Sequence, residues 1–332
     1  MLDERKTAIL SAVVQEYIAT AQPVGSTHIS AAPGVGVSSA TVRNEMAVLE
    51  QEGFLVQPHT SAGRVPTDKG YRFFVDHLAA PGRLDDARLA QVGDFFAVAH
   101  GRLEEMLHQT SDLLARLTSS AAVVLGPTPA ALEVRSVQLV RLSTGHATVV
   151  VVHSNGTVEN EVFELPEGCT DEQVRAAGER LAAVLVGSTI NALDDSPTSG
   201  DAGADAVCAA ALGAIRAVSS GDQVYVGGTS AVAASFDAVE VVRDVLHTLE
   251  QQFVVVSLVR NIVDRGMSVA IGIEHGVEPL AACSVVVAPV VVDGEHLGSV
   301  GVLGPTRMNY PQALATVGVV SEQLGQRLGE SS

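Results

Sequence analysis

The 332-residue sequence predicts an α+β protein with a small helical head. Two observations point there. The first eighty residues read as short amphipathic helices around tight turns. Downstream, the Val-rich runs Ala122–Leu125, Val134–Leu142, Ala147–His153 and Val158–Leu165 read as strands, and strands return at Ser268–Ile273, Ser284–Val292 and Gly298–Leu303. Strand runs segregated from helix runs indicate α+β rather than alternating α/β architecture.

The head is legible element by element. Residues 3–20 form a first helix with an apolar stripe of Ile9, Leu10, Val13, Val14 and Tyr17. Ala21–Gly25 breaks it, and Ser26 is expected to cap a short second helix, Thr27–Ala32. Pro33–Val37 is a turn. Ser38 or Ser39 then caps a third helix over 39–52, whose Val42, Met46 and Leu49 share one face. The opposite face carries Ala40, Arg43, Asn44, Ala47 and Gln51. Gly53 stops this helix, Phe54–Val56 returns as a strand, and His59–Arg64 makes a basic-tipped turn. Two short helices joined by a glycine turn, then a hairpin, predict a winged helix-turn-helix over residues 1–80. Arg and Asn on its exposed face are the side chains that read guanine and adenine by paired hydrogen bonds.

Charge argues first against, then for, this reading. The net charge is −18, which by itself disfavours nucleic acid. Within residues 1–78, however, six Lys/Arg stand against eight Asp/Glu, so the excess acid lies downstream. An acidic body behind a near-neutral head predicts a small salt dependence of DNA binding. The three cysteines, Cys169, Cys208 and Cys283, are far apart and form no CxxC pair, which fits a reducing cytoplasm. The start is charged and lacks the apolar core of a signal peptide. The longest apolar run, Ala281–Val292, is too short to span a bilayer and reads as buried sheet.

Catalytic chemistry finds little support. The pair Gly34 and Gly36 follows no strand and lacks a third glycine, Gly301–Arg307 is a turn rather than a phosphate loop, and no HExxH occurs. The adjacent acids Asp85-Asp86, Glu104-Glu105 and Asp194-Asp195 point apart or sit in loops. No enzyme, metal or cofactor is predicted.

Ala79–Gly82 reads as a linker, and 85–118 as helix with a heptad-like seam running from Leu89 to Leu117. That seam is expected to lie on its own domain or to hold two copies together. Asn155-Gly156 marks a hairpin turn, Thr170 caps a helix over Asp171–Val186, and Asp194–Gly203 is a loop. Helices follow at Ala204–Val218, Val239–Glu250 and Phe253–Val263, with a strand at Gln223–Val226, and a final helix covers Pro311–Leu328. This order predicts a body of 85–165 plus 265–332, interrupted by an insertion at 166–264.

Several blocks carry a resemblance. Pro23–Ser26 (PVGS), Ala40–Leu55 (ATVRNEMAVLEQEGFL), Gln57–Asp76 (QPHTSAGRVPTDKGYRFFVD), Val224–Ser230 (VYVGGTS), Ala270–Glu274 (AIGIE) and Gly301–Tyr310 (GVLGPTRMNY) together resemble the bacterial heat-inducible transcription repressor family HrcA. The resemblance implies a winged helix, a GAF-like domain, and a dimerising domain inserted in the latter. It implies repression of chaperone genes by a homodimer on an inverted-repeat operator, the CIRCE element. Activity is expected to depend on the chaperonin GroEL and to be lost under heat. Arg43 and Asn44 are the expected base readers and Ser39 and Thr41 the expected phosphate or base contacts. Thr60, Ser61, Arg64, Thr67 and Lys69 are the expected wing contacts. Local alternatives are an ion pair from Arg43 to Glu50 or Glu16, a plain turn charge at Arg64, and helix capping by Thr41. The second helix has no basic residue where the family usually does, so Arg43, Arg64 and Lys69 are expected to carry more of the contact. A ligand-sensing GAF-type regulator is the alternative function.

Overall fold

The computed structural model describes the chain except residues 1, 60–61, 78–81, 99–102, 128–131, 155, 194–195, 199, 220–222, 237, 266–267, 293 and 331–332. The head comprises α1 (Glu4–Thr20), α2 (Ser26–Ser30), α3 (Ser39–Gln51), a two-stranded antiparallel ladder of β1 (Leu55–Val56) and β2 (Val65–Pro66), and α4 (Asp68–His77). Asp3 caps α1 by accepting from the Lys6 amide, and Ala21 ends it in the left-handed region at φ 54°. The buried stripe of α1 is Ile9, Leu10, Val13 and Val14. Gly25, not Ser26, is the N-cap of α2. The Ser26 hydroxyl instead turns inward to the Ser39 hydroxyl at 3.2 Å.

The body is built on an antiparallel five-stranded sheet in the order β7-β3-β10-β9-β8. Its strands are β3 (Ala121–Leu125), β7 (Val224–Gly227), β8 (Val269–Ile271), β9 (Cys283–Val292) and β10 (Glu295–Pro305). Pleating splits β3 between two cores. Ala122 and Val124 face α5 (Asp86–Val98), α6 (Leu103–Thr118) and α12 (Tyr310–Glu330), while Ala121, Val123 and Leu125 face α9 (Thr229–Ser235), α10 (Val239–Glu250) and α11 (Gln252–Asp264). Helix α12 lies close on β9, because a Cβ on Gly325 would stand 2.7 Å from the Val291 carbonyl oxygen. The helical stretch expected over 85–118 is two helices that pack on this body through Val92, Phe96, Leu103, Leu107, Leu113 and Leu117, so most of the seam is core. Leu89, at its start, is exposed.

A separate core joins β4 (Val134–Arg141), β5 (His146–His153) and β6 (Val158–Glu164) to α7 (Asp171–Leu185) and α8 (Ala202–Ser219). Thr170 caps α7, and Gln173 returns the bond to the Thr170 amide, a reciprocal capping box. This module leaves the body after β3 and returns at β7, its neighbour in the sheet. The exit and re-entry are tied where the Gly126 amide donates to the Gln223 carbonyl at 2.9 Å. The boundary expected at 166–264 is therefore displaced. Strands 134–164 leave the body and residues 224–264 rejoin it. Both groups are Val-rich, and which sheet a strand joins is decided by long-range pairing that local pattern does not encode. The turn residues Asn155, Asp194, Asp195 and Asp293 and the linker residues Ala79–Pro81 lie outside the described residues.

Among the described residues no helix is long and apolar enough to cross a membrane. Leu181 is fully buried in the three-stranded module. Leu181→Ala should lower that module's stability by about 2–5 kcal/mol. Hydrogen exchange should register the loss in α7, α8 and β4–β6, with protection in α1 and α3 unchanged.

Candidate nucleic-acid interface

Helix α3 is shaped by two opposed faces. Val42, Met46 and Leu49 are buried against α1 and α2, which leaves Arg43 and Asn44 on the exposed side. Ser38 caps the helix, accepting from the Thr41 amide at 3.2 Å and meeting the Thr41 hydroxyl at 3.0 Å. Thr41 is thus engaged in the cap, one of the two roles open to it. Ser39 meets the hydroxyls of Ser26 at 3.2 Å and Thr27 at 3.3 Å, which locks the start of α3 to the start of α2.

Arg43 and Asn44 make no hydrogen bond or ion pair among the described residues. The two carboxylates that sequence offered to Arg43 are engaged elsewhere: Glu16 pairs with His28 at 3.1 Å, and Glu50 with Arg64 at 2.9 Å. A long cation and an amide, side by side and unpaired on a rigid helix, suit them to base edges in a groove.

The residues expected as wing contacts behave differently. Arg64 is not at a turn tip. Its side chain is only 15% exposed, its Nε donates to Glu50 Oε2 at 3.0 Å, and its backbone exchanges two 2.9 Å hydrogen bonds with Val24. It therefore clamps α3 and the α1–α2 turn onto the ladder. Gly63 is required beside it, since a Cβ there would collide with the Val24 carbonyl. Thr67 donates to the Gly53 carbonyl at 2.7 Å and accepts from the Gly70 amide at 3.2 Å, capping α4. Lys69 donates to the Glu52 carbonyl at 2.7 Å and lies 4.4 Å above the Phe54 ring, a cation–π contact at the end of α3. Thr60 and Ser61 lie outside the described residues. The structure thus brings Ser39, Thr41, Arg43 and Asn44 together on the first two turns of α3, and sets Arg64, Thr67 and Lys69 into internal bonds behind it.

Sequence reasoning missed a second cluster, where α4 meets the body. Arg72 Nε donates to Glu274 Oε1 at 3.0 Å, and its Nη2 bonds Glu274 Oε2 and, at 2.8 Å, the Val269 carbonyl. Its Nη1 reaches Asp76 at 3.1 Å. Glu274 also accepts from the Ile271 amide at 2.8 Å. One turn earlier on α4, Asp68 takes a backbone hydrogen bond from Ile273, while burial pushes its carboxyl above the usual carboxylate range. The adjacent Gly272 holds φ 56° with no room for a Cβ against that carboxylate. Tyr71 packs on Tyr310 with ring centres 5.9 Å apart, and the Tyr310 hydroxyl donates to the Thr306 carbonyl at 2.5 Å. Two of the blocks behind the resemblance, around Gly70–Arg72 and Ala270–Glu274, meet here. The pairing spans about two hundred residues, so no local signal could have found it.

This geometry separates the two arginines of the head. Arg64→Ala should destabilise the head by about 1–3 kcal/mol, because Glu50 loses its partner in a half-buried site. Arg43→Ala should stay within about 0.5 kcal/mol of the parent, as a surface change does. Urea titration with hydrogen-exchange readout in α3 measures both.

Known proteins extend the picture. The family model of the HrcA protein C terminal domain matches residues 104–314. The heat-inducible transcription repressor HrcA of Acidothermus cellulolyticus is 38% identical, with 100% of both chains covered. The repressor of the same name from Moorella thermoacetica is 36% identical over 98% of each chain. A crystal structure of a hypothetical protein shares the fold at TM-score 0.66 and 23% identity, covering 100% of both chains. Similarity at this level along the whole length, with α3 exposing Arg43 and Asn44 at one end, establishes that the chain belongs to the HrcA family of heat-inducible transcription repressors.

Proposed function

We propose that the chain represses heat-shock genes by binding operator DNA through a winged helix-turn-helix, residues 1–80, with α3 as the recognition helix. The observation that carries this reading is the unpaired couple Arg43 and Asn44 on the outward face of α3. Arg43 takes the guanine edge and Asn44 the adenine edge. Ser39 and the α3 amino end lie near phosphate, where open amides and the helix dipole favour an anion. Arg64 and Lys69 act mainly through the head's own fold. Thr60 and Ser61 remain wing contacts in this reading.

The operator is an inverted repeat, read by a homodimer whose two-fold axis matches that of the DNA. The three-stranded module supports dimerisation. On its face away from α7 and α8, Val140, Thr148 and Val162 form one cross-strand row, with Val140 and Val162 about half exposed. An apolar patch of this kind fits a second copy of the chain. The body around the five-stranded sheet takes the GAF-like part. Dependence on the chaperonin GroEL, release under heat and a cytoplasmic setting follow from the family resemblance and complete the reading.

Arg43→Ala should weaken operator binding by ~1–3 kcal/mol and relax base choice at one position. Unchanged affinity and unchanged selectivity at fixed salt would remove Arg43 from the interface. Val162→Asp should shift the chain to monomer in sedimentation and lower operator affinity with it. A gel shift on the inverted repeat, with and without GroEL and before and after mild heating, tests the chaperonin arm; identical shifts under all four conditions would exclude it.

A further inference from the structure

The head is not on a free tether. Among the described residues the body grips it through polar contacts along the side of α4 that carries Asp68 and Arg72. Arg72 alone makes three bonds across to the body, on both oxygens of Glu274 and on the Val269 carbonyl, and a fourth within α4, to Asp76, steadies it. A paired arginine–carboxylate contact fixes an angle as well as a distance, because both groups are planar. Gly272 lets the Asp68 carboxylate reach the backbone of the turn that follows β8. Tyr71 and Tyr310 fill the space beside the polar contacts. Past the α4 end, the Gly82 amide donates to the Pro311 carbonyl at 3.0 Å, so the chain is pinned to α12 as it enters the body. None of these groups lies on the exposed face of α3.

From this we infer that the Arg72–Glu274 and Asp68–Gly272 contacts are positioning contacts that set which spacing between operator half-sites the repressor accepts. The inference rests on the proposed reading of a homodimer on an inverted repeat. In such a dimer each head reads one half-site, and the separation of the heads is transmitted through the bodies. Heads held at a fixed angle accept half-sites on one face of the duplex and reject those rotated to the other. Heads on loose joints would reach both. The contacts thus govern specificity for spacing while α3 governs specificity for bases.

The test uses the full-length chain and three probes: an isolated half-site, the inverted repeat at its preferred spacing, and the same repeat with about half a helical turn, roughly five base pairs, added to the spacer. Two variants loosen the joint by different means. Glu274→Gln removes the charge facing Arg72 but keeps an oxygen for the Ile271 amide. Gly272→Ala inserts a methyl against Asp68 and alters no charge. For the parent chain, the added half turn should cost most of the gain from binding two half-sites, about 10²–10⁴-fold. In both variants that cost should fall below about tenfold, with half-site affinity unchanged. Full spacing discrimination in both variants would overturn the inference. So would a parallel loss of half-site affinity, which would place the contacts in the head's own stability. If the parent itself bound the repeat no better than the half-site, the paired-operator reading would fall first, and the inference with it.

Discussion

Helix α4 is buried twice. Its Phe74 and Tyr71 complete the hydrophobic interior of the head, and Tyr71 also reaches Tyr310 at the start of α12. One continuous apolar core therefore runs from α1 through α4 into α12 and the inner face of the five-stranded sheet. Every other feature of the head is arranged around that constraint. The ladder and α3 must be held against α1 and α4, and the basic residues close to that seam are used to do so. Arg64 joins α3 to the ladder, Lys69 closes the end of α3, and Arg72 joins α4 to the body.

The polar groups at this seam sit where isolated charges would be expensive. Burial pushes the Asp68 carboxyl upward and holds His275 below its ordinary value. Tyr71 buries its hydroxyl with no partner among the described residues. Apolar packing of large rings evidently outweighs that cost, since a buried aromatic contributes more than one unmet hydroxyl takes away. Burial acts on the sheet in the same way: the Cys283 thiol is pushed up to about 12 and behaves as a small hydrophobe there.

Much of this was legible in the sequence, and what was not has a common cause. Spacing alone gave the buried face of α3, its cap within Ser38-Ser39, the cap at Thr170 and nearly every strand of both sheets, because these depend on neighbours within a few residues. The internal bonds of Arg64, Thr67 and Lys69, expected as wing contacts, were not legible. A basic residue near a turn is compatible with a DNA-facing wing and with an internal clamp, and only the distant partner decides. For Arg64 that partner is Glu50; for Arg72 it is Glu274. The edges of the inserted module failed for the same reason, since β7 belongs with β3 although the whole of β4–α8 lies between them.

The exposed face of α3 stands apart from all this. Ser39 and Thr41 are tied into caps and helix contacts, whereas the exposed side chains of Arg43 and Asn44 have no hydrogen bond or ion pair among the described residues. Folding therefore places almost no demand on those two positions. Under the proposed reading, base choice and folding are separable in this head: substitution at Arg43 or Asn44 should change which operator is preferred while leaving the fold, held by the arginines behind the helix, intact.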